Sequence, residues 1–344
     1  PFDASWQPDF WGKTRSAVEA NAFAAQASAA DLVNVRLTAQ AELAVDYYQL
    51  RAQDALRVLL DSAAAADADG LSLARTLRKA GLDSDQAVAQ AESQLDAARA
   101  QAVNAGLLRA QYEHAAATLL GVSASSFTIP AAPFAAPSPE FPVGVPSQLL
   151  ERRPDVAAAE RAVAQANAQI GVARAAYFPD VTLSASAGFD SFALADWLSW
   201  PSRFWSLGAG ASETLFDGGL RSAAVRQAKA VRDQAAAGYR QTVLSAFQQV
   251  EDDLSGVRIS AEDAVRQDAA VEAGRRNLSE ERVRYGSGLD SYLDVVTAQT
   301  ALLAQEQAAL AFRLQGVVAD VQLVEALGGG WDSSSLPKPS ALKR

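Results

Sequence analysis

Gly81-Leu82-Asp83-Ser84 returns 207 residues later as Gly288-Leu289-Asp290-Ser291, and Leu120-Gly121 returns as Leu327-Gly328. Leu95 keeps the same register against Leu302 and Arg51 against Arg258. Gly12 and Arg15-Ser16-Ala17 answer to Gly218 and Arg221-Ser222-Ala223 at an offset of 206. One residue of slippage over so long a span marks two copies of one architectural unit. Each copy opens on a short alternating stretch and continues into a very long helix-forming one.

The long stretches run from Gly12 to about Arg78 and from Gly218 to about Tyr285, without proline and rich in alanine, leucine, glutamine and charged residues. Roughly 65 residues at 1.5 Å each predict helices of about 100 Å, longer than an ordinary domain. Small or apolar residues at Ala224, Ala228, Val231, Ala235, Ala246, Val250, Leu254, Val257, Ala261 and Val265 step by three or four. That spacing predicts a coiled-coil-like seam. Each long helix stops at a glycine-centred turn, Arg78 to Asp85 or Arg284 to Tyr292, and a helix returns over about Gln86–Leu120 or Tyr292–Leu327. The unit is a long antiparallel helical hairpin, made twice.

Residues 128–146 hold six of the 13 prolines and read as an extended linker between the copies. The expected organisation is a first repeat over 1–127, that linker, and a second repeat over 147–330. The second repeat comprises a shorter helix from Ser147 to about Ala176, a β-hairpin over 180–216 and the second helical hairpin. A polar, proline-bearing tail over 331–344 is expected to be disordered.

The strands narrow the class further. Val181, Leu183, Ala185, Ala187 and Phe189 alternate with Thr182, Ser184, Ser186, Gly188 and Asp190. Trp205, Leu207, Ala209 and Ala211 alternate with Ser206, Gly208, Gly210 and Ser212, and Pro1–Phe10 alternates as well. Ten-residue strands with one apolar and one small-polar face fit the tilted wall of a membrane barrel, and equally the half-buried sheet of a soluble protein. Trp197 and Trp200 in the connection suit a membrane interface. A membrane barrel closes with eight strands or more, and about three are visible, so spanning requires an oligomer. The repeat asks for a hairpin in each half, which places one further strand upstream of Pro1.

Composition removes other classes. Thirty basic residues against 40 acidic ones give a net charge of −10, with no basic run to neutralise nucleic-acid phosphates. Cysteine is absent, and His114 is the single histidine, so thiolate chemistry, multi-histidine metal sites and a histidine-dependent triad lack their parts. Glu251-Asp252-Asp253 point in different directions around a helix and cannot converge on one ion. Gly328–Gly330 follow a helix instead of opening one, so they stop it and do not cradle phosphate. An enzyme is not expected, nor a cofactor. No run of 18 apolar residues occurs, so no transmembrane helix is expected.

Val145-Pro-Ser-Gln-Leu-Leu-Glu-Arg-Arg-Pro-Asp155, Ala159-Glu160, Ala166-Asn-Ala-Gln-Ile-Gly171 and Ala173-Arg-Ala-Ala-Tyr-Phe-Pro179 together resemble the TolC-like outer-membrane efflux proteins, in particular their OprM/NodT lipoprotein branch. Phe216-Asp-Gly-Gly219 and Ala326-Leu-Gly-Gly-Gly-Trp331 agree with it. The resemblance implies a mainly α fold with a small β part. In it, three protomers complete one transmembrane β-barrel, and their coiled-coil hairpins continue as a periplasmic tunnel.

It also implies a homotrimer in the outer membrane of a Gram-negative bacterium, extending into the periplasm and in contact with outer-membrane lipid. A periplasmic adaptor would join it to an inner-membrane pump of RND type, and the duct would passively export drugs, metals or other small molecules. In that branch an acylated N-terminal cysteine anchors the protomer; this sequence has no cysteine, so such an anchor lies upstream or is absent. A duct for type I protein secretion and an elongated coiled-coil scaffold without a pore are the alternatives.

By the same resemblance the two turns form the closed periplasmic tip. Tyr285, Gly288 and Asp294 match the family's pattern. Thr297 stands where a second aspartate is expected, and Asp290 stands where a gate arginine occurs in TolC itself. The gate is therefore expected at Tyr285, Asp290, Asp294 and Thr297, mainly in the second copy. Three Asp294 carboxylates would form a ring. The adaptor-docking tips are expected at Gly81-Leu82 and Gly288-Leu289.

Overall fold

A computed structural model describes residues 1–136, 152–191 and 198–338. The elements, in chain order, are β1 (Phe2–Trp6), α1 (Lys13–Lys79), α2 (Asp85–Leu119), α3 (Pro154–Ala175), β2 (Asp180–Phe189), β3 (Arg203–Ser212), α4 (Leu220–Gly286) and α5 (Tyr292–Ala326). α1 and α4 are each 67 residues long and α2 and α5 each 35, so the echo in sequence is an echo in length as well. The chain divides into two compact units. One comprises Pro1–Asn34, Leu150–Ser245 and Trp331–Arg344, and the other Val35–Leu149 and Ala246–Gly330.

The first unit holds an antiparallel sheet in the order β1-β2-β3. Phe2 pairs with Ala187 and Trp6 with Leu183, and β2 pairs with β3 from Asp180–Ser212 to Phe189–Arg203. Because side chains alternate along each strand, this register gathers Phe2, Ala4 and Trp6 with Val181, Leu183 and Ala185 and with Ala209, Leu207 and Trp205 on one face. Asp3, Ser5, Thr182, Ser184, Ser186, Gly208 and Gly210 share the other. A Cβ at Gly208 would lie 2.8 Å from Ser184 Oγ, so a side chain there would have to displace that hydroxyl. The apolar face is bare: Phe2 is 88% exposed, Trp205 72% and Leu207 75%. A half-buried sheet would have covered these side chains. β1 ends at Trp6, short of the Pro1–Phe10 alternation, since Pro8 offers no N–H to the ladder.

The strand-to-helix junctions are fastened by side chains. Trp11 stacks on Phe178 at 4.7 Å between centroids, and its Nε1 donates to the Pro179 carbonyl at 2.9 Å. Asp217 accepts from the Gly219 and Arg221 backbone N–H groups, both at 2.9 Å, and from Arg221 Nε at 2.8 Å. Those bonds hold its carboxyl down at about 2. Trp200 in the β2–β3 connection lies under the Arg203 guanidinium, whereas Trp197 falls outside the described residues.

The tail differs from its expectation as disordered. Trp331 and Leu336 pack against Ala30, Ala157 and Ala158, and Gln26 Nε2 donates to the Pro337 carbonyl at 2.8 Å. Long-range packing anchors residues 331–338 despite their polar composition. Residues 339–344 lie outside the described ones.

In the second unit the beginning of the linker is strapped to the first hairpin. Asp54, nearly buried, bonds Arg51 at 3.0 Å and Arg109 at 2.7 Å, and Arg51 also donates to the Pro130 carbonyl at 2.6 Å. Glu113 pairs with Arg109 at 3.2 Å and accepts the Ile129 N–H. The position equivalent to Asp54 in the second copy is Ala261, so the shared register of Arg51 and Arg258 does not extend to this strap. The expected α4 seam is only partly interior. Ala246 and Val250 are buried, while Ala224, Val231, Leu254, Ala261 and Val265 are exposed. Among the described residues nothing covers that stripe.

Candidate gate at the hairpin tips

Both long helices end in the same backbone device. Gly81 N–H donates to the Arg78 carbonyl and Leu82 N–H to the Leu77 carbonyl, each at 2.9 Å. Gly288 and Leu289 repeat this onto Tyr285 and Arg284, at 2.9 and 3.0 Å. Gly81 and Gly288 sit at φ +75° and +72°, a left-handed conformation that glycine adopts without strain. In this motif the residue after the glycine often folds back on the helix. Here Leu82 and Leu289 instead stand 76% and 71% exposed.

The side chains then diverge. At the first tip Ser84 caps α2 through Ala87 N–H at 3.2 Å, and Arg78 pairs with Asp85. Asp83 accepts the Ser84 N–H at 2.7 Å on one oxygen and the Tyr285 hydroxyl at 2.6 Å on the other. At the second tip Asp290, the repeat equivalent of Asp83, accepts from Arg284 Nε and Nη2, the latter at 2.9 Å. That guanidinium holds the Asp290 carboxyl below the ordinary range. Glu281 lies alongside, its carboxyl pushed up by burial and then by the neighbouring Asp290. Asp294 accepts the Ser291 N–H at 3.1 Å and its hydroxyl at 2.7 Å, closing the first turn of α5. Thr297 donates to the Leu293 carbonyl of its own helix at 2.8 Å.

Tyr285 joins the two copies. It is 5% exposed, its ring meets Tyr292 at 5.4 Å, and burial followed by the bond to Asp83 pushes its phenol well above the ordinary value. It belongs to an apolar cluster with Leu71, Ala74, Ala87, Ala91 and Leu95 from the first hairpin and Val271, Leu278, Val295 and Ala298 from the second. The Tyr285–Asp83 bond, made to a carboxylate, is worth about 1.5–3 kcal/mol. The Arg284–Asp290 pair, with the guanidinium half exposed and screened by water, is the weaker of the two.

The sequence-expected residues are thus brought together unequally. Tyr285 is at the joint, and Asp290 pairs within its own tip, its arginine partner being Arg284. Asp294 is engaged as a cap, and Thr297 bonds only its own helix. The contact at Tyr285 draws on the first copy as well as the second, through Asp83. Asp83 and Arg284 were both missed. The signal for Asp83 was present in the repeated tetrapeptide, where it occupies the place of Asp290. Among the described residues no three His, Cys, Asp or Glu side chains are grouped to hold a metal ion.

The family model of the outer membrane efflux proteins matches residues 2–122 and 145–329. The pyoverdine export outer membrane protein OpmQ of Pseudomonas aeruginosa is 34% identical over 338 residues, covering 96% of this chain and 69% of OpmQ. The solved outer-membrane channel OprN superposes with a TM-score of 0.92 at 31% identity, over 96% of this chain and 74% of OprN. VceC of Vibrio cholerae follows with a TM-score of 0.90 at 27% identity, over 96% and 79%.

Proposed function

The chain belongs to the outer membrane efflux protein family, and from that footing we propose how its parts serve an exit duct. It is an outer-membrane channel subunit of a tripartite efflux system, located in the outer membrane and extending into the periplasm. Our reading goes further in three respects: the oligomer, the gate and the docking surface.

The observation that carries the reading is the bare apolar face of the β1-β2-β3 sheet, backed by a face of serine, threonine and glycine. Such a sheet is stable where lipid covers one face and water fills the other. Three strands cannot close, and copies of the chain placed edge to edge would close them into one barrel, most economically as a homotrimer. The exposed α4 stripe of Ala224, Val231, Ala261 and Val265 supports the same assembly, since it offers a coiled-coil seam to a neighbour.

The tips form the closed end, held by Tyr285–Asp83 between hairpins and by Arg284–Asp290 within the second. Asp294 carboxylates, one per protomer, add a cation-attracting ring while capping α5. Leu82 and Leu289, with Gly81 and Gly288 shaping their turns, are the docking points for a periplasmic adaptor. That adaptor links the duct to an inner-membrane pump of RND type. Relatives bear names as different as toluene efflux and pyoverdine export. The duct therefore passes small molecules that the pump selects.

Expression of the full-length protein and fractionation test the reading. A heat-modifiable trimer in the outer-membrane fraction is expected. A water-soluble monomeric rod would overturn it.

A further inference from the structure

Four turns along α1 from the tip, Asp67 is a carboxylate only 2% exposed, on the seam where α1 meets α5. Its Oδ1 accepts from Gln299 Nε2 at 2.6 Å, and Gln299 is itself buried. Next to it Gly70 meets Tyr292 so closely that a Cβ would lie 2.9 Å from the phenol oxygen. The surroundings are the apolar cluster of Leu71, Ala74, Val295, Ala298 and Leu302. A carboxylate removed from water is satisfied by a cation or by several donors. Here the hydrogen bond comes from a neutral amide belonging to the other repeat.

The charged and titratable groups facing it are few. α4 contributes Arg282, whose charge favours the ionised form, and α5 contributes Tyr292 beside the amide of Gln299. α2 brings Ala87, Val88, Ala91 and Leu95 to this cluster.

We propose that Asp67 and Gln299 form a proton-sensitive latch between the two hairpins, which tightens the closed seam when Asp67 is protonated and loosens it when Asp67 is ionised. The inference rests on the tips being a gate, and it adds the regulation of that gate. Packed in the seam, the Asp67 carboxyl is raised above its ordinary value of 3.8, burial outweighing the opposing pull of Arg282. An opened seam lets water reach it and returns it toward that value. The closed seam therefore binds the proton more tightly. Its extra stability is complete below the ordinary value and is lost as pH rises through the raised one. The geometry also predicts the exchange of partners: a protonated Asp67 donates to the Gln299 carbonyl oxygen where the ionised form accepted from its amide nitrogen.

These 344 residues contain no cysteine, so a thiol introduced among them is read against the unsubstituted channel. In the purified full-length channel, Ala74→Cys places a reporter at a fully buried seam position and Ser72→Cys an exposed control on the same helix. The ratio of their labelling rates by a water-soluble maleimide cancels the thiol's own titration. That ratio is expected to fall as pH is lowered from neutral toward the ordinary value of 3.8, by about tenfold for each unit by which the closed seam raises the carboxyl.

Asp67→Asn, which keeps the hydrogen bond and removes the charge, should hold the ratio low and independent of pH. Gln299→Glu should raise it at neutral pH and restore it on acidification. Both are read only in preparations whose circular dichroism matches the parent. An unchanged pH profile in Asp67→Asn, or a pH-independent parent, would overturn the latch. Labelling is measured without current. A channel that fails to conduct while its seam responds to pH refutes the gate reading and leaves the latch standing, and the converse holds.

Discussion

The two hairpin tips share a backbone and differ in what their side chains reach. Each ends on a left-handed glycine followed by an outward leucine, and each carries an aspartate at the same place in the repeat. Asp83 of the first tip turns to Tyr285 of the other copy, whereas Asp290 of the second turns to Arg284 of its own. A tie between copies must break when the hairpins part, and a tie within a copy travels with it. Equivalent residues thus make different contacts, one between the copies and one within a copy.

The largest effect should follow loss of the inter-tip bond. Tyr285→Phe removes the hydroxyl and leaves the buried ring, and it should shift the closed–open balance by about 10- to 100-fold, as 1.5–3 kcal/mol implies. Planar-bilayer conductance measures this, and a wild-type conductance would erase the distinction between the tips. Asp290→Asn, cutting the intra-tip pair, should change the balance by about fivefold at most. An effect equal to that of Tyr285→Phe would break the comparison from the other side.

pH separates the same two contacts. The Tyr285 phenol is raised in the closed tip, so its contribution is complete below the ordinary value of 10.0 and is lost as pH rises past it. Opening should increase under alkaline conditions in the parent and not in Tyr285→Phe. The Asp290 carboxyl is depressed, so its contribution is present above 3.8 and lost only as pH falls below. The smallest effect belongs to Asp294→Asn, which keeps an acceptor for Ser291 while removing charge. Cation selectivity should drop modestly with conductance nearly unchanged. A large rise in conductance would mean that Asp294 holds the tip shut.

Much of this was legible in sequence because it is local. Proline-free stretches, glycine stops and strand alternation are written in neighbouring residues, and the bare face of Phe2, Leu183 and Leu207 follows from period two once the strands pair in register. What was not legible depends on packing between distant segments. Tyr285 and Asp83 are 202 residues apart and meet only because two hairpins lie side by side. Arg284 carries no mark of its own in the sequence, and its tie to Asp290 depends on the fold of the turn. Trp331 and Leu336 read as a polar tail because their partners, Ala30, Ala157 and Ala158, lie far away in sequence.

The account stands or falls on whether Tyr285 and Asp83 act as one contact. A double-mutant cycle of Tyr285→Phe and Asp83→Asn, read as conductance of the purified channel in planar bilayers, measures that directly. Each single substitution is expected to open the tip, and the double substitution to open it no further than Tyr285→Phe alone. Effects that simply add, or a channel indifferent to both changes, would contradict it.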